Sequence, residues 1–173
     1  MTREEFKNKY YNFALSATQG SGLNPILIIA QAWLESAGGK SLLSTKYNNF
    51  FGVKATKSWQ GKTVNLRTRE QTKEGKEFFI TAPFRVYNSP YESFVEQIKF
   101  LKNNPRYKNA GLFSYPDNIS KQAETLQKAG YATDINYSKL LTQISNAFLK
   151  IPINPLNTIL PMALIFLITK KFF

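Results

Sequence analysis

The sequence predicts an α+β fold that is mostly helical and carries a small antiparallel β lobe. Several segments repeat apolar side chains at the helical spacing of three and four residues, whereas residues 61–87 alternate apolar with polar side chains. Of the 173 residues, 43% are hydrophobic and 14% aromatic, which is enough to bury a core. We therefore expect one domain over residues 1–151 and a separate tail over residues 152–173.

Two helices are predicted near the N terminus. The first begins at a capping box formed by Thr2 and Glu5 and ends at the glycines of residues 20–22. The second begins at Asn24-Pro25, an N-cap followed by a first helical proline. Its residues 26–34 are apolar on nearly every face, which is typical of a buried helix. We expect it to end at Glu35, before Gly38-Gly39.

The β lobe is predicted from the middle of the chain. Residues 45–55 have the composition of a loop, and Val64, Leu66 and Thr68 then alternate with polar residues. Glu74-Gly75 offers a turn, and an apolar run from Phe78 gives a second strand that we expect to end at Pro83.

Three further helices are predicted after the lobe. The first begins at the capping box Ser89-Pro90-Tyr91-Glu92, and the second is expected to be capped by Asp117 and closed by Gly130. The third presents Leu140, Leu141, Ile144 and Phe148 to the core.

The tail contains a mostly apolar stretch, residues 156–168, followed by two lysines. As a helix it would reach only about 20 Å, short of a hydrocarbon core of about 30 Å. Residues at the helix ends, lysine side chains reaching the interface and a thin bilayer reduce that difference. Two interpretations stay open: a membrane anchor, or a terminal helix docked on this domain or on a partner.

The composition restricts the chemistry. The chain has no histidine and no cysteine, which excludes Ser-His-Asp and Cys-His catalysis and the common zinc sites. We expect no metal and no cofactor. The net charge of +12 favours polyanionic partners, and the basic residues form no tight run, so we expect cell-wall polymer or anionic lipid and no nucleic acid.

Glu35 is the principal candidate for catalysis. It follows an apolar helix, so desolvation and the negative end of the helix dipole would both raise its pKa. A carboxyl group that stays protonated near neutral pH can donate a proton to a leaving oxygen, as a glycosidase requires. The alternative is a glutamate that emerges into solvent where the helix ends.

The neighbourhood of Glu35 resembles the catalytic motif of glycoside hydrolase family 73, the β-N-acetylglucosaminidases of bacteria and phages. Blocks in the family's order run over roughly residues 23–147. They are Ala30–Ser41, Tyr47–Lys54 (similar to the family's Asn-Asn-Leu-Phe-Gly-Ile-Lys), Trp59 with Gly61, Phe84–Tyr87 with Ser89 and Glu92-Ser93, Arg106-Tyr107, Leu126–Asp134, and Tyr137–Leu141. The resemblance implies a lysozyme-like α+β fold.

The resemblance also implies the site. Glu35 would be the general acid, and Glu70 best matches the family's second carboxylate, with Glu74 and Glu77 as substitutes. Tyr131 matches a family tyrosine near the cleft, where a phenol could support the substrate's N-acetyl group or an intermediate.

Five further residues are expected at or beside the substrate. Asn48, Asn49 and Phe51 would shape the loop beside Glu35, and the asparagines could do so by bonding backbone. Trp59 and Tyr87 are candidates for stacking on sugar rings or for packing in the core. The family commonly has Gly-Trp-Gly after Glu-Ser, whereas this chain has residues 37–39 as Ala-Gly-Gly and so lacks an aromatic there.

These features predict a peptidoglycan hydrolase that cuts β-1,4 bonds of the glycan strand, as an endo-β-N-acetylglucosaminidase. The alternatives are a lytic transglycosylase or muramidase on the same fold, or a non-catalytic wall- or membrane-bound scaffold. The N terminus lacks a signal peptide's apolar core. We therefore expect a phage-encoded lysin acting on the wall, either released by host lysis or held at a membrane or virion through residues 156–173.

Overall fold

The computed structural model describes residues 1–72 and 75–153, apart from the side chains of residues 70 and 71. Within them, seven α-helices and a two-stranded antiparallel sheet follow one another in the order expected for the lysozyme-like α+β class. In chain order they are α1 (Arg3–Thr18), α2 (Pro25–Glu35), α3 (Leu42–Tyr47), β1 (Thr63–Gln71), β2 (Glu77–Arg85), α4 (Pro90–Asn103), α5 (Pro105–Asn109), a 3₁₀ turn (Leu112–Ser114), α6 (Ile119–Lys128) and α7 (Tyr137–Leu149).

Helix α2 is the centre of the core, as its apolar sequence predicts. Asn24 Oδ1 accepts a hydrogen bond from the Ile26 amide at 2.9 Å, and Pro25 occupies the first turn. Every residue from 26 to 32 is buried, because α1 and α7 flank the helix and α6 also contacts it. This packing holds the last residue of α2 at the surface of a rigid core.

Sequence capping signals place most helix starts correctly. The Thr2 and Glu5 capping box forms with both hydrogen bonds, and Ser89 caps α4 through the Glu92 amide. The prediction for α6 is wrong by one residue, because Asn118 is the cap and its Oδ1 accepts from the Lys121 amide at 2.9 Å. Helices α3 and α5 were not predicted, since five or six residues are too few to show a periodicity.

The β lobe is a single hairpin whose register pairs Thr63 with Arg85 and Gln71 with Glu77. Strand β2 continues through Pro83 to Arg85, so the expected end at Pro83 is wrong. A two-stranded sheet consists of edges, where a missing amide proton is tolerated. The Pro83 carbonyl still accepts from the Ala55 amide at 2.9 Å, which joins the hairpin to the loop after α3.

The tail prediction lies outside the described residues, which end at residue 153. Among the helices of residues 1–72 and 75–153, none combines the length and hydropathy needed to span a bilayer.

Candidate active site

A cleft of about 660 Å³ opens where α2 ends. Its walls come from Glu35, from the loop that follows α3, from one face of α4, from α5 and from the segment after α6. This places Glu35 beside Phe51 and Tyr131, two of the residues that the sequence assigns to the site.

Glu35 is the last residue of α2 and faces this cleft. The expectation of a buried side chain needs correction, because Glu35 is exposed by total accessible surface. Protein atoms nevertheless surround its carboxyl group, and this desolvation raises its pKa above the usual 4.5. The wall behind the carboxyl is dry while the side towards the cleft is open, and a proton donor to a bound substrate needs both.

A phenol supports Glu35 from behind. The Tyr137 hydroxyl donates to Glu35 Oε1 at 3.1 Å, a bond that favours the ionised carboxylate and partly offsets the desolvation. Burial, together with the neighbouring Tyr131 and Glu35, raises the pKa of Tyr137 well above 10.0. The phenol therefore stays neutral and keeps its proton to donate. Sequence reasoning gave Tyr137 no role, because the residues after α6 carry no signal that they return to α2.

Tyr131 lies beside Tyr137 and lines the cleft. The two rings stack with centroids 5.6 Å apart. Burial, and then the charge of Glu35, raises the pKa of Tyr131 well above 10.0, so this phenol is also neutral. The structure thus brings together Glu35 and Tyr131, which are about a hundred residues apart in sequence.

The tandem asparagines hold backbone. Asn49 is buried, and its Nδ2 donates to the carbonyls of Val53 and Arg85, both at 2.9 Å, while its Oδ1 accepts from the Val53 amide at 3.0 Å. Asn48 ends α3 in the left-handed region at φ 54° and donates to the Tyr87 carbonyl at 3.1 Å. Both amides therefore fasten the loop of the cleft to the β lobe.

The aromatic candidates lie in different environments. Phe51 lines the cleft and packs edge-on against Phe94 at 5.2 Å. Tyr87 is only 2% exposed and contacts Trp59. The Arg85 guanidinium lies 4.4 Å from the Trp59 ring centroid, and the indole N–H donates to the Lys62 carbonyl at 3.1 Å. Neither Trp59 nor Tyr87 is among the described residues that line the cleft, so their stacking on sugar rings stays an untested prediction.

The second carboxylate is not brought beside Glu35 by the described side chains. The backbone of Glu70 pairs with Phe78 in the hairpin, and its side chain lies outside the described part. The substitute Glu74 also lies outside it, and the other substitute, Glu77, is exposed and paired with Arg69 at 3.2 Å.

Glu96 is a cleft carboxylate that sequence reasoning missed. It lines the same cleft as Glu35 and bonds Arg85 at 3.3 Å and Lys99 at 2.9 Å. In the sequence it is one charged position of an amphipathic helix, and nothing there distinguishes it from a solvated residue.

The Ala-Gly-Gly segment after Ser36 closes α2 without an aromatic. Ala37 has φ 52°, and the indole of Trp33 packs so closely on Gly38 that a Cβ there would lie 3.1 Å from the ring. Trp33 also contacts Phe6 and Phe148 in the core. The tryptophan is absent from the cleft wall and does not replace the family's aromatic.

Within the described ranges, no group of three His, Cys, Asp or Glu side chains is placed to hold a metal ion. The cleft itself presents carboxyl and phenol groups, which can transfer protons or donate hydrogen bonds.

Comparison with known proteins identifies relatives of this arrangement. The model of the glucosaminidase family, described as mannosyl-glycoprotein endo-β-N-acetylglucosaminidase, matches residues 11–150. The peptidoglycan hydrolase FlgJ of Salmonella typhimurium is 38% identical over 132 residues, which cover 74% of this chain and 40% of that protein. The exo-glucosaminidase LytG of Bacillus subtilis is 37% identical over 128 residues, 69% of this chain and 42% of that protein.

Solved structures agree with these sequence relatives. The glycoside hydrolase domain of Salmonella typhimurium FlgJ superposes with a TM-score of 0.69 at 34% identity, covering 85% of this chain and 88% of that domain. The catalytic domain of the Listeria monocytogenes autolysin Auto gives a TM-score of 0.74 at 28% identity, with 86% of each chain covered. The chain spans less than half the length of the curated relatives named above, and nearly all of these two solved domains.

Proposed function

Because the chain belongs to the glucosaminidase family, we propose that it hydrolyses β-1,4 bonds of the peptidoglycan glycan strand, as an endo-β-N-acetylglucosaminidase with Glu35 as general acid. One observation carries this proposal: Glu35 stands in the large cleft with a raised pKa and a hydrogen bond from Tyr137. Solved peptidoglycan-hydrolase domains of the same fold support the substrate class.

The chemistry follows from the state of the carboxyl group. Water supplies the new oxygen at the sugar C1 and gives one proton to a carboxylate of the site, while protonated Glu35 donates its proton to the glycosidic oxygen as the bond between that oxygen and C1 breaks. The carboxylate that remains is stabilised by the Tyr137 hydroxyl, which already points at Oε1. Tyr131, neutral on the same wall, would support the acetamido group or the oxocarbenium-like intermediate.

The second carboxylate has two candidates. Glu70 is proposed on the resemblance to the family and on its position in β1. Glu96 is proposed because it lines the described cleft, although its two ion pairs also suit a purely structural role. If Glu70 acts, Glu70→Gln lowers kcat while Glu96→Gln mainly lowers stability. If Glu96 is the second carboxylate, Glu96→Gln lowers kcat and Glu70→Gln leaves it unchanged.

A muramidase or lytic transglycosylase is the second candidate function. A relative at 38% identity over 142 residues, from Lactococcus lactis, is named a probable N-acetylmuramidase. A transglycosylase also works with one glutamate, and Glu35 and Glu96 are the two carboxylates among the described residues that line the cleft.

Product analysis on purified sacculi tests these proposals. Mass spectrometry should find reducing N-acetylglucosamine ends. Reducing N-acetylmuramic acid would indicate a muramidase, and a 1,6-anhydro end would indicate a transglycosylase. Glu35→Gln should lose at least about a hundredfold in rate, and a variant as active as wild type would show that Glu35 is not the general acid. A wild-type protein that releases no products would leave only the scaffold role.

The apolar tail is proposed as an anchor to a membrane or virion, on the composition of residues 156–168 and the lysines that follow. Removing residues 152–173 should release the protein from membranes or particles while leaving hydrolysis unchanged. If the truncated protein still sediments with either, the anchor proposal fails.

A phage source and a bacteriolytic role stay predictions, since the relatives reported above are bacterial proteins.

A further inference from the structure

A buried chain of polar side chains runs behind Glu35, and the proposed function does not use its two glutamines. Tyr137 donates to Glu35 Oε1 at 3.1 Å, and Gln31 Nε2 donates to the Tyr137 hydroxyl at 3.0 Å. Gln97 Nε2 then donates to Gln31 Oε1 at 3.0 Å and to the Tyr131 hydroxyl at 3.1 Å. Two amides thus connect two phenols that belong to different parts of the fold.

The two amides occupy positions where apolar side chains would ordinarily pack. Gln31 is flanked by apolar residues in α2, and Gln97 faces inward from α4. Both side chains are fully buried. Gln97 Oε1 has no hydrogen-bond partner among the described residues. Because an unsatisfied buried acceptor is unfavourable, this glutamine does not maximise stability, which points to a role for its two donated bonds.

These bonds determine which way each hydroxyl points. An amide N–H can only donate, so the Tyr137 oxygen accepts from Gln31 and its own hydrogen is directed to Glu35. Glu35 Oε1 accepts the hydrogen bond from Tyr137, so when Glu35 is protonated its own proton is carried by Oε2. The Tyr131 oxygen likewise accepts from Gln97, which leaves its hydrogen for a ligand in the cleft that it lines.

We propose that Gln97 is a positioning residue that, acting through Gln31, makes Tyr137 a hydrogen-bond donor to Glu35 and makes Tyr131 a donor to the substrate. The part that concerns substrate rests on the proposed function. The part that concerns Glu35 is a property of the folded protein and is testable without activity.

Loss of Gln97 has a defined consequence. Gln31 Oε1 loses its donor, so the Gln31 amide can rotate and accept the Tyr137 hydrogen itself, which removes the bond to Glu35. The ionised form of Glu35 then loses a stabilising partner, and its titration moves to higher pH. Tyr131 also loses its bond from Gln97, but burial holds its pKa well above 10.0, so it stays neutral where Glu35 titrates. The other ionisable side chains described in the cleft lining are Lys54, Arg85, Glu96, Lys99, Arg106 and Tyr107, and the substitution changes none of them.

The test compares Gln97→Met, Tyr137→Phe and the double variant with wild type. NMR titration of the Glu35 side-chain carboxyl carbon should show its midpoint about 0.5 to 1 pH unit higher in each single variant. The double variant should show no further shift, because both changes remove the same bond. The matched control is Gln122→Met, since Gln122 is equally buried but bonds Gly22 and Leu112 outside the cleft.

Two measurements keep the proposal falsifiable. If Gln97→Met does not fold, the side-chain amide signals of Gln31 and Gln97 in wild type should shift with the Glu35 midpoint, while those of Gln122 should not. A Gln97→Met midpoint equal to wild type, additive shifts in the double variant, or unresponsive amide signals would each overturn the proposal.

Enzyme assays separate this proposal from the proposed function. With sacculi as substrate, the alkaline limb of the pH profile of kcat should move to higher pH in Gln97→Met, by the same shift that the titration shows. If the wild-type protein is inactive but the variants still show the titration shifts, the proposed function is wrong and the proposed hydrogen-bond network stands.

Discussion

Glu35 shows how one carboxyl group can face an open cleft and still have a raised pKa. Its side chain faces the cleft, while protein atoms on the other side remove water and raise its pKa. The hydrogen bond from Tyr137 acts in the opposite direction and limits that rise. These two opposing effects set the pKa of Glu35, and that pKa determines how readily the carboxyl group gives up its proton.

This balance predicts a pH-dependent stability. A folded-state pKa above the usual 4.5 means that the native protein binds more protons than the unfolded chain between 4.5 and the raised value. The stabilisation is complete below pH 4.5 and is lost as pH rises through the raised pKa. Chemical denaturation of wild type and Glu35→Gln across this window should show wild type losing stability relative to the variant. Parallel pH profiles would contradict the raised pKa.

At the scale of an element, α2 ends in a strained turn. Ala37 has φ 52° although it carries a Cβ, and it is exposed, so its side chain contributes little packing. Ala37→Gly should therefore stabilise the protein by about 0.5 to 1 kcal/mol. Ala129, the C-cap of α6 at φ −75°, is the matched control, and Ala129→Gly should destabilise. Thermal unfolding measures the stability of both variants, and a destabilised Ala37→Gly would rule out strain at this turn.

The loop after α3 predicts different outcomes for its two asparagines. Asn49→Ala removes three hydrogen bonds between a buried amide and partly buried backbone groups, and should cost about 2 to 4 kcal/mol. Asn48→Gly loses one bond but suits the left-handed φ of 54°, so its effect should stay within about 1 kcal/mol. Urea unfolding measures both, and similar losses would mean that Asn49 does not fasten the loop to β2.

At the scale of the whole molecule, one lysine joins the two ends of the described domain. Lys7 on α1 is only 2% exposed, and its Nζ donates to the carbonyls of Phe148 at 2.8 Å and Ile151 at 2.5 Å. Both carbonyls lie at the C-terminal end of α7, where that of Phe148 also accepts from the Ile151 amide at 3.2 Å. Burial lowers the pKa of Lys7, which shows that the contact is kept at the expense of desolvation.

Lys7→Met should destabilise the protein by about 1 to 3 kcal/mol, because the variant fills the same space but removes the lysine's two hydrogen bonds, and only the Phe148 carbonyl keeps a described backbone donor. Lys139→Met, at an exposed position of α7, should change stability by less than about 0.5 kcal/mol. Equal effects of the two substitutions in thermal unfolding would show that α7 is held by its apolar face alone.

The sequence by itself determined the elements with strong local signals. The buried helix α2, its Asn24 cap and the hairpin follow from short-range periodicity and capping chemistry, and the absence of histidine and cysteine restricted the chemistry to groups such as carboxyl and phenol. The family, the fold class and the importance of Glu35 were predicted from motifs read along the chain.

Only the tertiary structure decided what surrounds Glu35. Tyr137, Gln97 and Glu96 come from segments distant in sequence, and each looks there like a core aromatic or a helical polar residue. Their contribution depends on which atoms meet after α2, α4 and α7 pack. A pattern along one helix fixes which face is buried, whereas the hydrogen-bond partner across the core is set by the packing of other helices.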